Sequence, residues 1–248
     1  MFLTKNKLQA RTDEIASYRY REGFSLGTLE IKEDVSGEVN PALVHEFDGE
    51  IAIGDRWSGR DKYLWLHKNV TIPANWSGKK VLGIFDYGNT GAGNNSGFES
   101  LLYVNGEPFQ GVDSNHKEVF FKEEHIGQEI SLQFRLWSGL EGGGVPTSQE
   151  HRINCAMIAW LDEKIDDLYY NAHVILETLD ILDEFNPVRA KLQKALNDSY
   201  KLIDWSYPGS ESFYESLHEA SDLLNELIDR IGKHSDIHVT CIGHTHID

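Results

Sequence analysis

Phe98–Phe121 reads FESLLYVNGEPFQGVDSNHKEVFF, and its pattern is that of short paired strands. Apolar and aromatic residues come in brief runs, and Asn105-Gly106 supplies the dipeptide that closes a tight hairpin. Gly111 to Asn115 forms a second polar break before Val119, Phe120 and Phe121 resume the apolar run. A stretch of this kind belongs to a β-sheet domain.

The same texture extends on both sides. KYLWLHKNVTI (62–72), KVLGIFDYG (80–88), EISLQFRLW (129–137) and RINCAMIAWL (152–161) are rich in branched and aromatic residues and are bounded by Gly, Asn, Asp and Pro. Residues 29–161 are therefore expected to form a β-sandwich of jelly-roll, galactose-binding-like type. Residues 1–28 read as a preceding arm or helix, with Ile15, Tyr18 and Phe24 available for packing.

After Leu161 the period changes. Ile165, Leu168, Tyr169, Ala172, Leu176, Leu179 and Leu182 recur at three- and four-residue intervals, the spacing of an amphipathic helix. Pro187 interrupts it and opens a second helix running to about Trp205. A third begins after Ser210 or Ser212, buries Leu217, Leu224, Leu227, Ile228 and Ile231, and stops at Gly232. Residues 162–235 form a helical segment in this reading, and Ile237–Ile242 begins a new strand. The fold class is α+β.

Composition narrows the partners. The formal net charge of −17 argues against nucleic acid and against an anionic membrane surface, because both recruit clustered Lys and Arg. The charged start, MFLTKNKLQARTDE, does not read as a secretory signal, and no apolar run reaches membrane-spanning length. Two cysteines, Cys155 and Cys241, sit far apart in apolar runs, so no disulfide framework is expected. A cytoplasmic location follows from these readings.

HVTCIGHTHID (238–248) holds the densest chemistry. In an extended chain residues i and i+2 share a side, so His246 and Asp248 converge while Thr245 and Ile247 face away. An imidazole nitrogen and a carboxylate oxygen there make half of a zinc site, with His244 available to orient the ligands. A solvated polar tail carries the same residues without a metal.

This stretch resembles the first barrel strand of the family 38 α-mannosidases, which ends in a G-H-[ST]-H-x-D element matched by Gly243, His244, Thr245, His246 and Asp248. FESLLYVNGEPFQGVDSNHKEVFF and LWSGLEGG (136–143) are similar to the sandwich that precedes the helices and barrel in the cytosolic and bacterial-type members. The resemblance implies that His246 and Asp248 are zinc ligands and that residues 236–248 begin a catalytic (β/α) barrel. It implies retaining hydrolysis of terminal α-mannosidic bonds, mannose-containing glycans as partners, and a possible homodimer. The nucleophilic Asp and the further His ligand lie, in that family, well beyond the first barrel strand. No catalytic residue is therefore expected within these residues. The chain is expected to be the front portion of a longer enzyme, inactive without the barrel that it would brace.

The sandwich itself offers a second reading, an autonomous carbohydrate-binding module. In DYGNTGAGNNSGFES (86–100), Asp86, Asn89, Asn94, Asn95 and Glu99 offer hydrogen bonds to sugar hydroxyls, with Tyr87, Trp57 or Trp65 to stack on a ring, unless the loop is simply an ordered turn. Asp113, Asn115 and His116 line a cleft or hold their own loop through Asx-type bonds. WSGLEGGG (137–144) is a flap over the sugar or a flexible connection.

Overall fold

The computed structural model describes residues 4–39, 41–88, 98–139, 149–232 and 240–243. The chain divides into two compact units, Arg19–Glu163 and residues 1–18 with 164–248. The first is a jelly-roll sandwich and the second is helical, so the fold is α+β.

Twelve strands build the sheets among the described residues: β1 (Tyr20–Ser25), β2 (Leu29–Asp34), β3 (Gly49–Ile51), β4 (Arg56–Gly59), β5 (Tyr63–Thr71), β6 (Lys80–Asp86), β7 (Glu99–Val104), β8 (Glu107–Asp113), β9 (Glu118–Phe120), β10 (Glu129–Trp137), β11 (Gln149–Arg152) and β12 (Cys155–Leu161). One sheet runs β1-β12-β6-β9 and the other β3-β2-β5-β10-β7-β8, with β11 and β4 forming a separate ribbon. Alternation sets the faces: Ile130, Leu132, Phe134 and Leu136 of β10 point into the core, and Ser131, Gln133, Arg135 and Trp137 take the other face, where Gln133 is itself buried and donates to the Val44 carbonyl at 2.9 Å. Phe85 of β6 and Phe134 of β10 meet edge to face at 4.7 Å, so both sheets contribute to one interior. The hairpin between β7 and β8 turns on Asn105 and Gly106, both at positive φ (52° and 88°), as a two-residue primed turn requires.

The helical unit comprises α1 (Thr4–Ile15), α2 (Glu163–Ile181), α3 (Pro187–Tyr200) and α4 (Glu211–Ile231). Asn186 caps α3 by accepting from the Val188 amide at 2.9 Å, and Pro187 sits where its missing N–H costs nothing. Ser210 is the cap of α4, accepting from the Phe213 amide at 3.2 Å, and Gly232 closes that helix at φ 75°. Leu168, Leu176, Leu196, Phe213, Leu217 and Leu224 are fully or almost fully buried together. Tyr200 is buried beside them with its hydroxyl 2.8 Å from that of Thr12, and burial raises its pKa far above the usual phenol value.

Residues 1–28, read as one arm, are divided between the units. α1 carries Leu8 and Ile15 into the helical core, and β1 pairs antiparallel with β12. Only Leu8, Thr12 and Ile15 of α1 are buried, a stripe too sparse for the periodicity of that segment to reveal. Thr240, Cys241 and Ile242, expected in the last strand, are exposed and belong to no strand, because no described residue gives them a ladder partner.

Candidate functional site

His244, His246 and Asp248, the sequence's metal-binding candidates, lie outside the described residues. Imidazole nitrogen and carboxylate oxygen are ordinary zinc donors, so the pair His246 and Asp248 fits that metal in kind. Among the described residues no group of three or more His, Cys, Asp or Glu is positioned to hold a metal.

Asp86 ends β6 with its carboxylate fully engaged. Lys117 donates to Oδ2 at 2.6 Å, Asn154 to Oδ1 at 3.2 Å, and the Gly88 amide to Oδ1 at 3.0 Å. Gly88 adopts φ 106°, and a Cβ there would sit 2.5 Å from the backbone N and O of Arg152. Only glycine allows that approach. Asn89, Asn94 and Asn95 of this loop and residues 140–144 of the proposed flap lie outside the described residues, whereas Glu99 opens β7 and is exposed.

The aromatic rings expected to stack on a sugar are core residues instead. Tyr87 is fully buried among Phe85, Phe98 and Phe134, and that burial holds its phenol well above the ordinary pKa. Trp57 donates its indole N–H to the Tyr87 carbonyl at 3.0 Å and stacks on buried His151 at 4.2 Å. Trp65 is 1% exposed. A large ring buries much apolar area when it packs inside, and these three do so rather than face solvent. His151 places Nε2 2.9 Å from the Ser138 carbonyl and Nδ1 3.4 Å from that of Gly88. Burial lowers its pKa, and the contacts to the Ser138 and Gly88 carbonyls oppose that shift.

Asp113 holds its own turn. Its Oδ1 accepts from the amides of Asn115 and His116 at 2.7 and 2.8 Å, and His116 Nδ1 lies 3.0 Å from both carboxylate oxygens. Burial works to raise its pKa, but the bonds from His116 and Asn115 outweigh that and bring it below the usual aspartate value. Asn115 and His116 are exposed. The next residue is Lys117, so one turn links Asp113 to the Asp86 end of the sandwich.

A different rim of the sandwich carries a groove that the sequence did not announce. Its volume is about 560 Å³, between the end of β2 and the β4–β5 connection. Asp34, whose side chain is 7% exposed, accepts from Arg135 Nε at 3.0 Å and Nη2 at 2.8 Å. Burial alone would raise its pKa, and the bonds from Ser36 and Arg135 more than reverse it. The Arg135 guanidinium lies over Tyr63 at 4.5 Å, Tyr63 stacks beside Trp137 at 6.4 Å, and Trp137 donates its indole N–H to Asp61 at 2.8 Å. Lys62 pairs with Glu33 at 2.8 Å. The available signal was the alternation of β10, which turns both Arg135 and Trp137 outward.

Residues 29–136 match the Ams1-like family described as α-mannosidase, jelly roll domain. Among solved structures the chain is similar to the β-glucuronidase of Faecalibacterium prausnitzii at 15% identity and TM-score 0.41, covering 57% of this chain and 31% of that one. The Lactobacillus rhamnosus β-glucuronidase is similar at 13% identity and TM-score 0.40, over 57% of this chain and 29% of that one. The chain thus spans less than a third of the length of these structures. No curated protein matches the sequence.

Proposed function

We propose, from the premise that residues 29–136 belong to the α-mannosidase jelly roll family, that this chain is the N-terminal ancillary region of a zinc-dependent retaining α-mannosidase. The family match is the observation that carries the reading. It makes the sandwich a glycosidase-associated domain, and GHTHID, at 243–248, gives the finer assignment.

In this reading His246 and Asp248 would hold the zinc, and His244 would orient them. When bound, the metal supplies Lewis-acid contacts to the hydroxyls of the mannose ring. The chain's own contribution is positional: the sandwich and the helices brace the catalytic barrel and wall part of the substrate cleft. A retaining mechanism also needs a carboxylate nucleophile and a carboxylic acid about 5 Å apart, and those roles fall to the barrel. The substrates are mannose-containing glycans with a terminal α-mannosidic bond, and the enzyme is cytoplasmic. No helix among the described residues is long and apolar enough to cross a membrane.

The test is hydrolysis of an aryl α-mannoside by the full-length enzyme, before and after chelation and after zinc is restored. Activity lost on chelation and recovered with zinc supports the reading, together with an inactive 248-residue polypeptide. Undiminished activity in the chelated enzyme, or hydrolysis of other aryl glycosides in preference, would refute it.

A further inference from the structure

Strand register lines up residues that the sequence keeps far apart. Asp34 of β2 is opposite Tyr63 of β5, and Tyr63 is opposite Trp137 of β10. Trp137 is opposite Glu99 of β7, and Glu99 is opposite Asp113 of β8. Residues directly opposite one another share a face, and Leu64, Leu136 and Val112, adjacent along their strands, are buried on the other face. Asp34, Tyr63, Trp137, Glu99 and Asp113 therefore form one row on the outer face of the six-stranded sheet. At a strand spacing of about 4.8 Å the row is about 19 Å long.

We propose that this row, with the groove at its Asp34 end, binds an uncharged oligosaccharide. The groove's 560 Å³ lies within the ordinary range of ligand sites, about 300–1,000 Å³. Tyr63 lines the groove, and Trp137, opposite it in β10, stacks beside it outside the groove with ring centroids 6.4 Å apart. Both are held by bonds that do not depend on a ligand: Trp137 is tied to Asp61, and Tyr63 lies against Arg135. Gly37 passes over the edge of Tyr63, where a Cβ would stand 3.9 Å from the ring carbons Cδ2 and Cε2. The missing side chain keeps that edge open to the groove. A pyranose ring presents an apolar face to such a platform and hydroxyls around its rim.

The charges select among ligands. Asp34 is neutralised by Arg135 and Glu33 by Lys62, so neither asks for a cation. Paired carboxylates and ammonium groups still have lone pairs and N–H donors for hydroxyls, which both donate and accept. An acidic sugar or a phosphate would meet Asp61, Glu99 and Asp113 along one edge and be repelled. The length of the row beyond the groove favours a ligand of more than one sugar ring. The choice of a mannose-containing oligosaccharide rests on the α-mannosidase reading; the preference for an uncharged sugar does not.

The experiment is an amide-resolved NMR titration of the 248-residue chain with α-linked mannotriose, with maltotriose, and with a glucuronate-containing disaccharide. Mannotriose is expected to shift amides at 33–37, 59–63 and 135–137 saturably, and the acidic disaccharide to leave them unmoved. Asp61→Asn, an exposed change that leaves the core intact, should weaken binding about fivefold, and Trp137→Leu should weaken it further. Maltotriose binding in the groove with mannotriose silent would uphold the sugar site and count against the mannosidase reading. No shift with either neutral sugar, or shifts confined to 86–88 and 115–117, would overturn the proposal.

Discussion

The two units are specified by the sequence at different ranges. In the helical unit, the buried face of α4 is written inside one segment: Phe213, Leu217, Ala220 and Leu224 recur with the helical period, and Ser210 and Gly232 mark its ends. On the rim of the sandwich, Asp34, Tyr63, Trp137, Glu99 and Asp113 become neighbours only when five strands find their register. A helix face follows from period, whereas a sheet row follows from pairing, and pairing is invisible in any short window.

The largest expected effect strikes the sandwich alone. Gly88→Ala adds a Cβ 2.5 Å from Arg152 backbone atoms in a left-handed conformation, so loss of roughly 3 kcal/mol or more is expected in denaturant unfolding. Gly27→Ala, with similar backbone and open space around it, should cost about 1 kcal/mol. Equal costs at the two positions would break the claim that Gly88 is required by close approach.

Next come the cores and the buried ion pair. Phe134→Ala in the sandwich and Phe213→Ala in the helical unit should each cost about 3–5 kcal/mol, since both rings are fully buried. Arg135→Ala leaves Asp34 buried without its partner and should cost about 3 kcal/mol, whereas Lys194→Ala, which removes an exposed partner of Asp198, should cost less than about 0.5 kcal/mol. Comparable losses in those two variants would mean that the rim pair is no better shielded than a surface pair.

Caps give smaller effects. Asn186→Ala and Ser210→Ala should each lower stability by about 1 kcal/mol in thermal or chemical unfolding. Asp34 and Asp198 also differ in how acid reaches them. Both have pKa values depressed below 3.8, so their contribution is complete above that value and is lost as pH falls through the folded value. For Asp198, lowered to about 2 by Lys194 and Lys201, the window runs from about 4 down to about 2. The Asp34 contribution should shrink in an acid titration of Arg135→Ala, the bonds from Ser36 remaining, and a pH profile unchanged by that substitution would contradict the pairing.

Much of the architecture was legible. The long strands β5, β6, β7, β10 and β12, and the helices α2, α3 and α4, follow from period, branched residues, Pro187, Ser210 and Gly232, although α3 ends at Tyr200, short of the expected Trp205. The short elements were not, because β3, β4 and β11 have too few residues to show a pattern. The candidate site was harder to read. Asp86 and Asp113 were visible as loop residues, but whether they face a ligand or a turn depends on Lys117 and His116, which only the folded chain brings to them. Trp57, Trp65 and Tyr87 looked available for stacking because sequence cannot distinguish a buried aromatic from an exposed one. Tyr63 and Trp137 form a partly exposed pair because their register sets them at the outer rim.

The central claim, that the chain serves a zinc α-mannosidase through His246 and Asp248, is tested most directly by metal content. Zinc per chain would be measured in the full-length enzyme and in its Asp248→Ala variant, alongside aryl α-mannoside hydrolysis. The account predicts close to one zinc per wild-type chain, with zinc and activity falling together in the variant. A variant that keeps both its zinc and its activity would contradict it.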